Sequence, residues 1–230
     1  MALSPVLEPP ASPFPFLPTT PITPTASPLF PKPRIAPSQA CSATLPNEPK
    51  AIFLRTRKAQ LQDARSIHQL IDSFSHDGTL LPRSYAEICA NIRTFTVVET
   101  HTHQFLGCAA LHIYGPHLAE IRSIVVRPDI KGCGAGGQLV HELLRQANAR
   151  GITCVCLFTR IPSFFKHFHF YVAERHAFND KVLKDCSHCA RRNACDETAM
   201  ALGELPASRD KPQNDPFLLQ QHSELVQLQL

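Results

Sequence analysis

Three groups of residues carry chemistry. The first is the run Ile124-Val125-Val126-Arg127-Pro128-Asp129-Ile130-Lys131-Gly132-Cys133-Gly134-Ala135-Gly136-Gly137. An apolar, strand-like stretch ends in a glycine loop, and a helical pattern begins after it. Glycines let backbone N–H groups approach a phosphate closely. A helix start adds unpaired N–H groups and the positive end of the helix dipole. Read alone, the loop fits a ligand-free glycine turn equally well. Two nucleotide motifs do not fit. A Walker A loop ends in Gly-Lys-Ser/Thr, whereas Gly137 is followed by Gln138-Leu139. A dinucleotide fingerprint has another glycine spacing and follows the first strand. The second group lies on the strand before the loop, where alternation predicts Glu120, Arg122 and Ile124 on one face. Opposite charges on an otherwise apolar strand read as an internal salt bridge or as a site. The third group is Cys186-x2-Cys189-x5-Cys195, with a spacing suited to zinc thiolates. A structural zinc, redox-active thiols and plain packing are the open readings, and a metal would need His188, His176 or a more distant residue as its fourth ligand.

The elements that position these groups follow from periodicity. A strand is predicted over 52–56, then an amphipathic helix carrying Leu61, Ala64, Ile67 and Ile71. Ser84 caps a second helix, with Glu87 as its capping-box partner. Strands over 95–99 and 105–114 form a hairpin, and a longer strand spans 118–126. A helix over 138–150 places Leu139, Leu143, Leu144 and Ala147 on one face, and Gly151 ends it. A buried strand over 153–158 carries Cys154 and Cys156, which are expected in the core. A short helix over 162–167 and strands over 170–173 and 198–202 complete a mixed α/β domain.

Composition bounds the rest. Of 21 prolines in 230 residues, 14 lie in residues 1–50, whereas all nine glycines lie at or after Gly78. Proline fixes φ and lacks an N–H, so 1–50 is expected to be a disordered or polyproline-like arm. The remainder fits one domain, expected over 51–204 and including the cysteine cluster, with 205–230 as a loose tail. Twenty-three Lys and Arg against 19 Asp and Glu give a net charge of +4. That balance suits a small anionic ligand and neither nucleic acid nor a membrane surface. No apolar stretch is long enough to span a bilayer. Nine cysteines without a secretory signal read as reduced thiols in the cytoplasm.

The motif Val125-Val126-Arg127-Pro128-Asp129, then Lys131-Gly132-Cys133-Gly134-Ala135-Gly136, resembles that of the GNAT superfamily of acyl-CoA-dependent N-acetyltransferases. Lys131 stands where Arg or Gln is usual, a point charge in place of a fork. The resemblance runs from about residue 52 to 202. It implies a mostly antiparallel sheet flanked by helices and splayed at the acyl-CoA site. It also implies that acetyl-CoA lies along Ile124, Val125 and Val126, with its pyrophosphate on the loop of Lys131, Gly132, Cys133, Gly134, Ala135, Gly136 and Gly137. Amine acetylation needs a neutral amine, and Glu120 is the candidate base. Further segments resemble short N-acetylglutamate synthases made of the acetyltransferase domain alone: Leu80-Leu81-Pro82-Arg83-Ser84, Glu120-Ile121-Arg122-Ser123, Thr159-Arg160 with Phe164-Phe165, and Asp185-Cys186 to Cys195-Asp196-Glu197. That resemblance implies L-glutamate as acceptor and makes Arg83, Arg122 and Arg160 its candidate carboxylate ligands, Arg160 first and Arg83 next. Two positions depart from the superfamily. His169 replaces a usual glycine, and Phe165 stands where a thiolate-protonating tyrosine is common. The expected partners are the amino acid and acetyl-CoA, with a homodimer left open. The rival readings are another amine acceptor and a non-catalytic acyl-CoA-binding metal or redox sensor.

Overall fold

The computed structural model describes residues 53–76, 78–189 and 191–206. The expected arm over 1–50 and nearly all of the expected tail lie outside the described residues. The chain forms β1 (Leu54–Lys58), α1 (Ala64–Ser73), α2 (Tyr85–Ala90), β2 (Phe95–Thr100), β3 (Phe105–Gly115), β4 (Leu118–Val126), α3 (Ala135–Asn148), β5 (Cys154–Thr159), α4 (Pro162–Lys166), β6 (Tyr171–Val172), α5 (Asn179–Lys184) and β7 (Thr198–Gly203). The strands make one seven-stranded sheet in the order β1-β2-β3-β4-β5-β7-β6. All neighbours are antiparallel except β4 and β5.

That parallel pair decides the architecture. β4 and β5 stay in register only at Ala119↔Val155 and Glu120↔Cys156. Beyond this point β4 continues to Val126 beside β3, while Leu157 to Thr159 of β5 pair with β7. The sheet therefore opens into a wedge whose walls expose unpaired backbone.

The two faces of the sheet are covered differently. Leu139, Val140, Leu143 and Ala147 of α3 pack with Ala109, Leu111, Ala119 and Ile121 on one face, as the helical spacing predicts. Ile67 and Ile71 of α1 and Ile88 of α2 cover Val97, Cys108, Ala110 and Val125 on the other. Helix α3 ends in a Schellman arrangement. Gly151 has φ +67°, the Ile152 N–H donates to the Ala147 carbonyl, and the Gly151 N–H donates to the Asn148 carbonyl. Cys154 and Cys156 are fully buried, as expected, and burial pushes the Cys154 thiol up to about 11.

Three local expectations are corrected. The first described strand starts at Leu54, two residues later than predicted, and Ile52 lies outside the described residues. Ser84 does cap α2, its Oγ accepting from the Glu87 N–H at 3.1 Å. The Glu87 carboxylate, however, takes Arg83 at 2.6 Å and does not complete a capping box. Helix α5 was not predicted. Its inward face holds Lys181, 5% exposed, while Leu183 on its outside is 72% exposed. An inverted pattern of this kind leaves no apolar period to read.

Gly107 of β3 lies directly opposite Val126 of β4. A Cβ there would lie 2.6 Å from the Val125 carbonyl oxygen and 2.9 Å from Val126 Cα. Because both obstacles are backbone, Gly107→Ala is expected to cost about 2 kcal/mol and to lower Tm by roughly 4–8 °C. A thermal melt within about 1 °C of the parent would show that the strands can separate freely.

Candidate functional site

Strand β4 carries an irregularity at the wedge. Cys108 pairs with Val125 and Ala110 with Arg122, so Ser123 and Ile124 oppose the single residue Ala109. This is a β-bulge, and Ser123 holds φ +52°, the left-handed region. The extra residue reverses the alternation. Ile124 and Val126 pack with the α3-side core, and Val125 packs on the α1–α2 side. The expectation that Ile124 shares a face with Glu120 and Arg122 is therefore corrected.

The loop after β4 is built as its glycines suggest. Gly132 and Gly134 have φ +89° and +80°, and no atom lies within 4 Å of a Cβ placed on either. Their need for glycine is thus conformational, and the space above them is open. Helix α3 begins at Ala135, earlier than predicted, so Ala135, Gly136 and Gly137 form its first turn. The amides of a first turn have no intrahelical acceptor; the first such bond runs from the Gln138 N–H to the Gly134 carbonyl at 3.0 Å. Lys131 is exposed beside them, and Cys133 packs against the α3-side core. A Cβ on Gly136 would meet Phe164 Cζ at 3.3 Å, and one on Gly137 would meet Phe168 Cζ at 3.5 Å. Phe164 and Phe168 thus brace the loop from below, while Phe165 and Phe170 are buried. His169 turns the chain between them at φ +65°, a left-handed position that strains a residue with a side chain.

On the α1–α2 face, next to the last β4–β5 pair, lies an ionic cluster. Glu120 is 3% exposed. Its Oε1 takes Lys181 Nζ at 2.8 Å, and its Oε2 accepts from the Tyr114 hydroxyl at 2.8 Å. Lys181 also reaches Asp185 Oδ2 at 2.9 Å. Burial opposes the charge on Lys181, but the Glu120 and Asp185 carboxylates outweigh it and hold its pKa above the usual lysine value. Burial likewise opposes the charge on Asp185, and Lys181 followed by Arg122 keeps its pKa below the usual carboxylate range. Burial, followed by the Glu120 carboxylate, raises the Tyr114 phenol. Arg122 lies 3.5 Å from Asp185 and 3.2 Å from His112 Nδ1. The Glu120 and Arg122 charges therefore do not pair with each other. Each is matched by α5 or the residue after it.

The arginines divide. Arg83 and Arg122 line one small pocket beside Ser123. Arg160 Nε donates to Asp196 Oδ1 at 2.8 Å, and its Nη1 donates to the Gly78 carbonyl. Arg191 Nη1 also donates to that carbonyl, at 2.9 Å. Arg160 thus ties the loop before α2 to the segment before β7.

Among the described residues no group of three or more His, Cys, Asp or Glu could hold a metal ion. Cys186 and Cys189 flank a single tight turn after α5. Cys195 Sγ accepts from Arg175 Nη2 at 3.2 Å and lies 3.8 Å from Glu197 Oε2.

The sequence reading missed His112, Tyr114, Lys181 and Lys184. His112 and Tyr114 alternate on β3, with His112 directly opposite Glu120, and that alternation was the available signal. Lys181 and Lys184 lay in the helix that was not predicted.

The site thus combines a sheet wedged open at one pair of strands, a glycine loop at a helix start and a buried ionic cluster beside the wedge. The chain belongs to the Acetyltransferase (GNAT) family, whose profile matches residues 61–178. An uncharacterized N-acetyltransferase of Chlorobaculum tepidum is 35% identical over 144 residues, 63% of this chain and 92% of that protein. An amino-acid acetyltransferase of Mycobacterium tuberculosis is 31% identical over 112 residues, 47% of this chain and 63% of the relative. One of Ralstonia nicotianae is 37% identical over 97 residues, 42% of this chain and 21% of the relative. The match thus spans about a fifth of the Ralstonia protein and under two thirds of the mycobacterial one. Among solved structures, a Mycobacterium tuberculosis protein in complex with CoA aligns with a TM-score of 0.57 at 25% identity, covering 66% of this chain and 99% of that one. The N-acetylglutamate synthase of Neisseria gonorrhoeae complexed with coenzyme A and N-acetyl-glutamate shares the fold, with a TM-score of 0.58 at 24% identity, covering 69% and 37%.

Proposed function

We propose that this acetyltransferase moves the acetyl group of acetyl-CoA to the α-amine of an amino acid, L-glutamate first among them, as in the first step of arginine biosynthesis. One observation carries the acceptor class. The polar cluster at the wedge holds Arg83, Arg122, Lys181 and Lys184 against Glu87, Glu120 and Asp185. A site with surplus positive charge favours an anionic acceptor over a polyamine or a bare amine. The amino-acid acetyltransferase relatives of Mycobacterium tuberculosis and Ralstonia nicotianae support the same class, and the mycobacterial structure holding CoA supports the co-substrate.

In this reading the pantetheine arm runs along the unpaired edge of β4 from Ser123 to Val126. The pyrophosphate rests on the amides of Gly132 to Gly137, with Lys131 above it. Arg83 and Arg122 hold the acceptor by its carboxylates. Arg160 serves by fixing the loop at Gly78, and it reaches substrate only if Asp196 releases it. Both oxygens of Glu120 already accept one bond each, and each keeps a second lone pair. Glu120 takes the ammonium proton through water or directly. The neutral amine attacks the thioester carbonyl, forming the C–N bond. The adduct collapses with cleavage of the C–S bond, and its second amine proton leaves to solvent. The CoA thiolate needs no dedicated acid, because a thiol pKa near about 8.5 makes it a fair leaving group, which suits a site with Phe165 where a tyrosine is common.

Thiol release from acetyl-CoA, measured over the twenty amino acids, a polyamine and a peptide N-terminus, tests the reading. Glutamate is expected to lead. Preference for the polyamine or the peptide would overturn the acceptor class.

A further inference from the structure

His112 holds a contradiction that points to a ligand. Its ring is half-buried on β3, opposite Glu120. Arg122 Nη2 approaches Nδ1 at 3.2 Å, and Lys184 Nζ approaches Nε2 at 2.9 Å. Burial, followed by the charges of Arg122 and Lys184, lowers the ring's pKa to about 4, so the imidazole is neutral near pH 7. A neutral imidazole has one acceptor nitrogen, and its other nitrogen carries a hydrogen. Arginine and protonated lysine only donate. One of the two cations therefore faces an N–H and gains no hydrogen bond.

The neighbouring charges show which cation is spare. Arg122 also has Asp185, and Lys181 has Glu120 and Asp185. Lys184 has no carboxylate partner among the described residues. It is exposed, and its ammonium lies 5.7 Å from the centre of the Tyr114 ring, a cation–π contact of modest strength at an exposed site. The hydroxyl of that same tyrosine donates to Glu120, so a single side chain separates Lys184 from the candidate base.

We propose that Lys184 is a specificity-determining ligand that takes the side-chain carboxylate of a dicarboxylic amino acid. The inference rests on the amino-acid reading above and adds the residue that distinguishes an acidic side chain from a neutral one. An arriving carboxylate pairs with Lys184, draws it from the imidazole, and leaves His112 free to accept from Arg122 alone. The mismatch in the unliganded site is thereby removed. The α-carboxylate is left to Arg83 and Arg122.

Steady-state kinetics of the full chain and of Lys184→Met with L-glutamate and L-glutamine test this, glutamine being scored by KM or, where turnover is too slow, by Ki. The variant is expected to raise the glutamate KM about tenfold or more, the loss of one charge-assisted contact. Its kcat should stay within about threefold, with the glutamine constant changing less than about twofold. Lys184→Arg should restore most of the glutamate KM. An unchanged glutamate KM in an active variant, or equal shifts for glutamate and glutamine, overturns the role of Lys184 while leaving amino-acid acetylation standing. Absence of turnover by the parent protein on any amino acid overturns both.

Discussion

Glu120→Gln is expected to lower kcat/KM for the amino-acid acceptor by about 10²–10⁴, the range for loss of a general base, with the acetyl-CoA KM little changed. The amide is nearly isosteric and keeps an oxygen for the Tyr114 hydroxyl, so the position of the side chain survives while its basicity does not. A purely structural Glu120 would give a different pattern, because a folded variant would then retain most of its kcat. Tyr114→Phe separates the two cases further. It removes one of the two bonds on Glu120 without removing the carboxylate, and a loss of less than about tenfold is expected. Single-turnover measurement of the acetyl-transfer step checks both variants. A Glu120→Gln enzyme within threefold of the parent would remove Glu120 from the chemistry.

Lys181→Met is expected to be the most destabilising single change in the site. It leaves the Glu120 carboxylate, 3% exposed, with the Tyr114 hydroxyl as its remaining partner, and it takes one of the two cations from Asp185. Breaking a buried ion pair by removing one member costs about 3–5 kcal/mol. For a unit of this size that is a fall in Tm of roughly 6–20 °C. The paired change Glu120→Gln with Lys181→Met removes both charges and should recover most of the loss, because the uncompensated charge dominates the penalty. Thermal or urea unfolding of the two single variants and the double closes the cycle. Additive losses would mean that the two side chains do not act as a pair.

Much of this was legible in the residues, and what was not lacks a local signal. The glycine loop, helix α3 with Leu139 and Leu143, and the β2–β3 hairpin announce themselves through glycine conformation and apolar period, which are local signals. The bulge at Ser123 does not. A single small polar residue in the left-handed region has no pattern, yet it reverses the face of Ile124. Helix α5 was hidden for the opposite reason. It buries Lys181 and exposes Leu183, so its stability comes from carboxylates on other elements and from no apolar stripe of its own. Glu120 and Arg122 stand out as opposite charges on an apolar strand, but their partners, Lys181 and Asp185, come from a part of the chain that only the fold brings near.

The short seam between β4 and β5 has a consequence for how the chain folds. Strands β2 to β4 are sequence neighbours joined by short turns and antiparallel pairing, a topology of local contacts and early closure. The remainder, β5 with β7 and β6, meets that half in register at two residue pairs only. Such a seam has little to hold it until both halves exist, so it should close after the main barrier. Interactions formed after the transition state influence escape from the native state and barely affect its formation. Lys181→Met should therefore accelerate unfolding by nearly its full free-energy cost while leaving the refolding rate almost unchanged. In a stopped-flow chevron, a slowed refolding limb would place the seam in the nucleus instead.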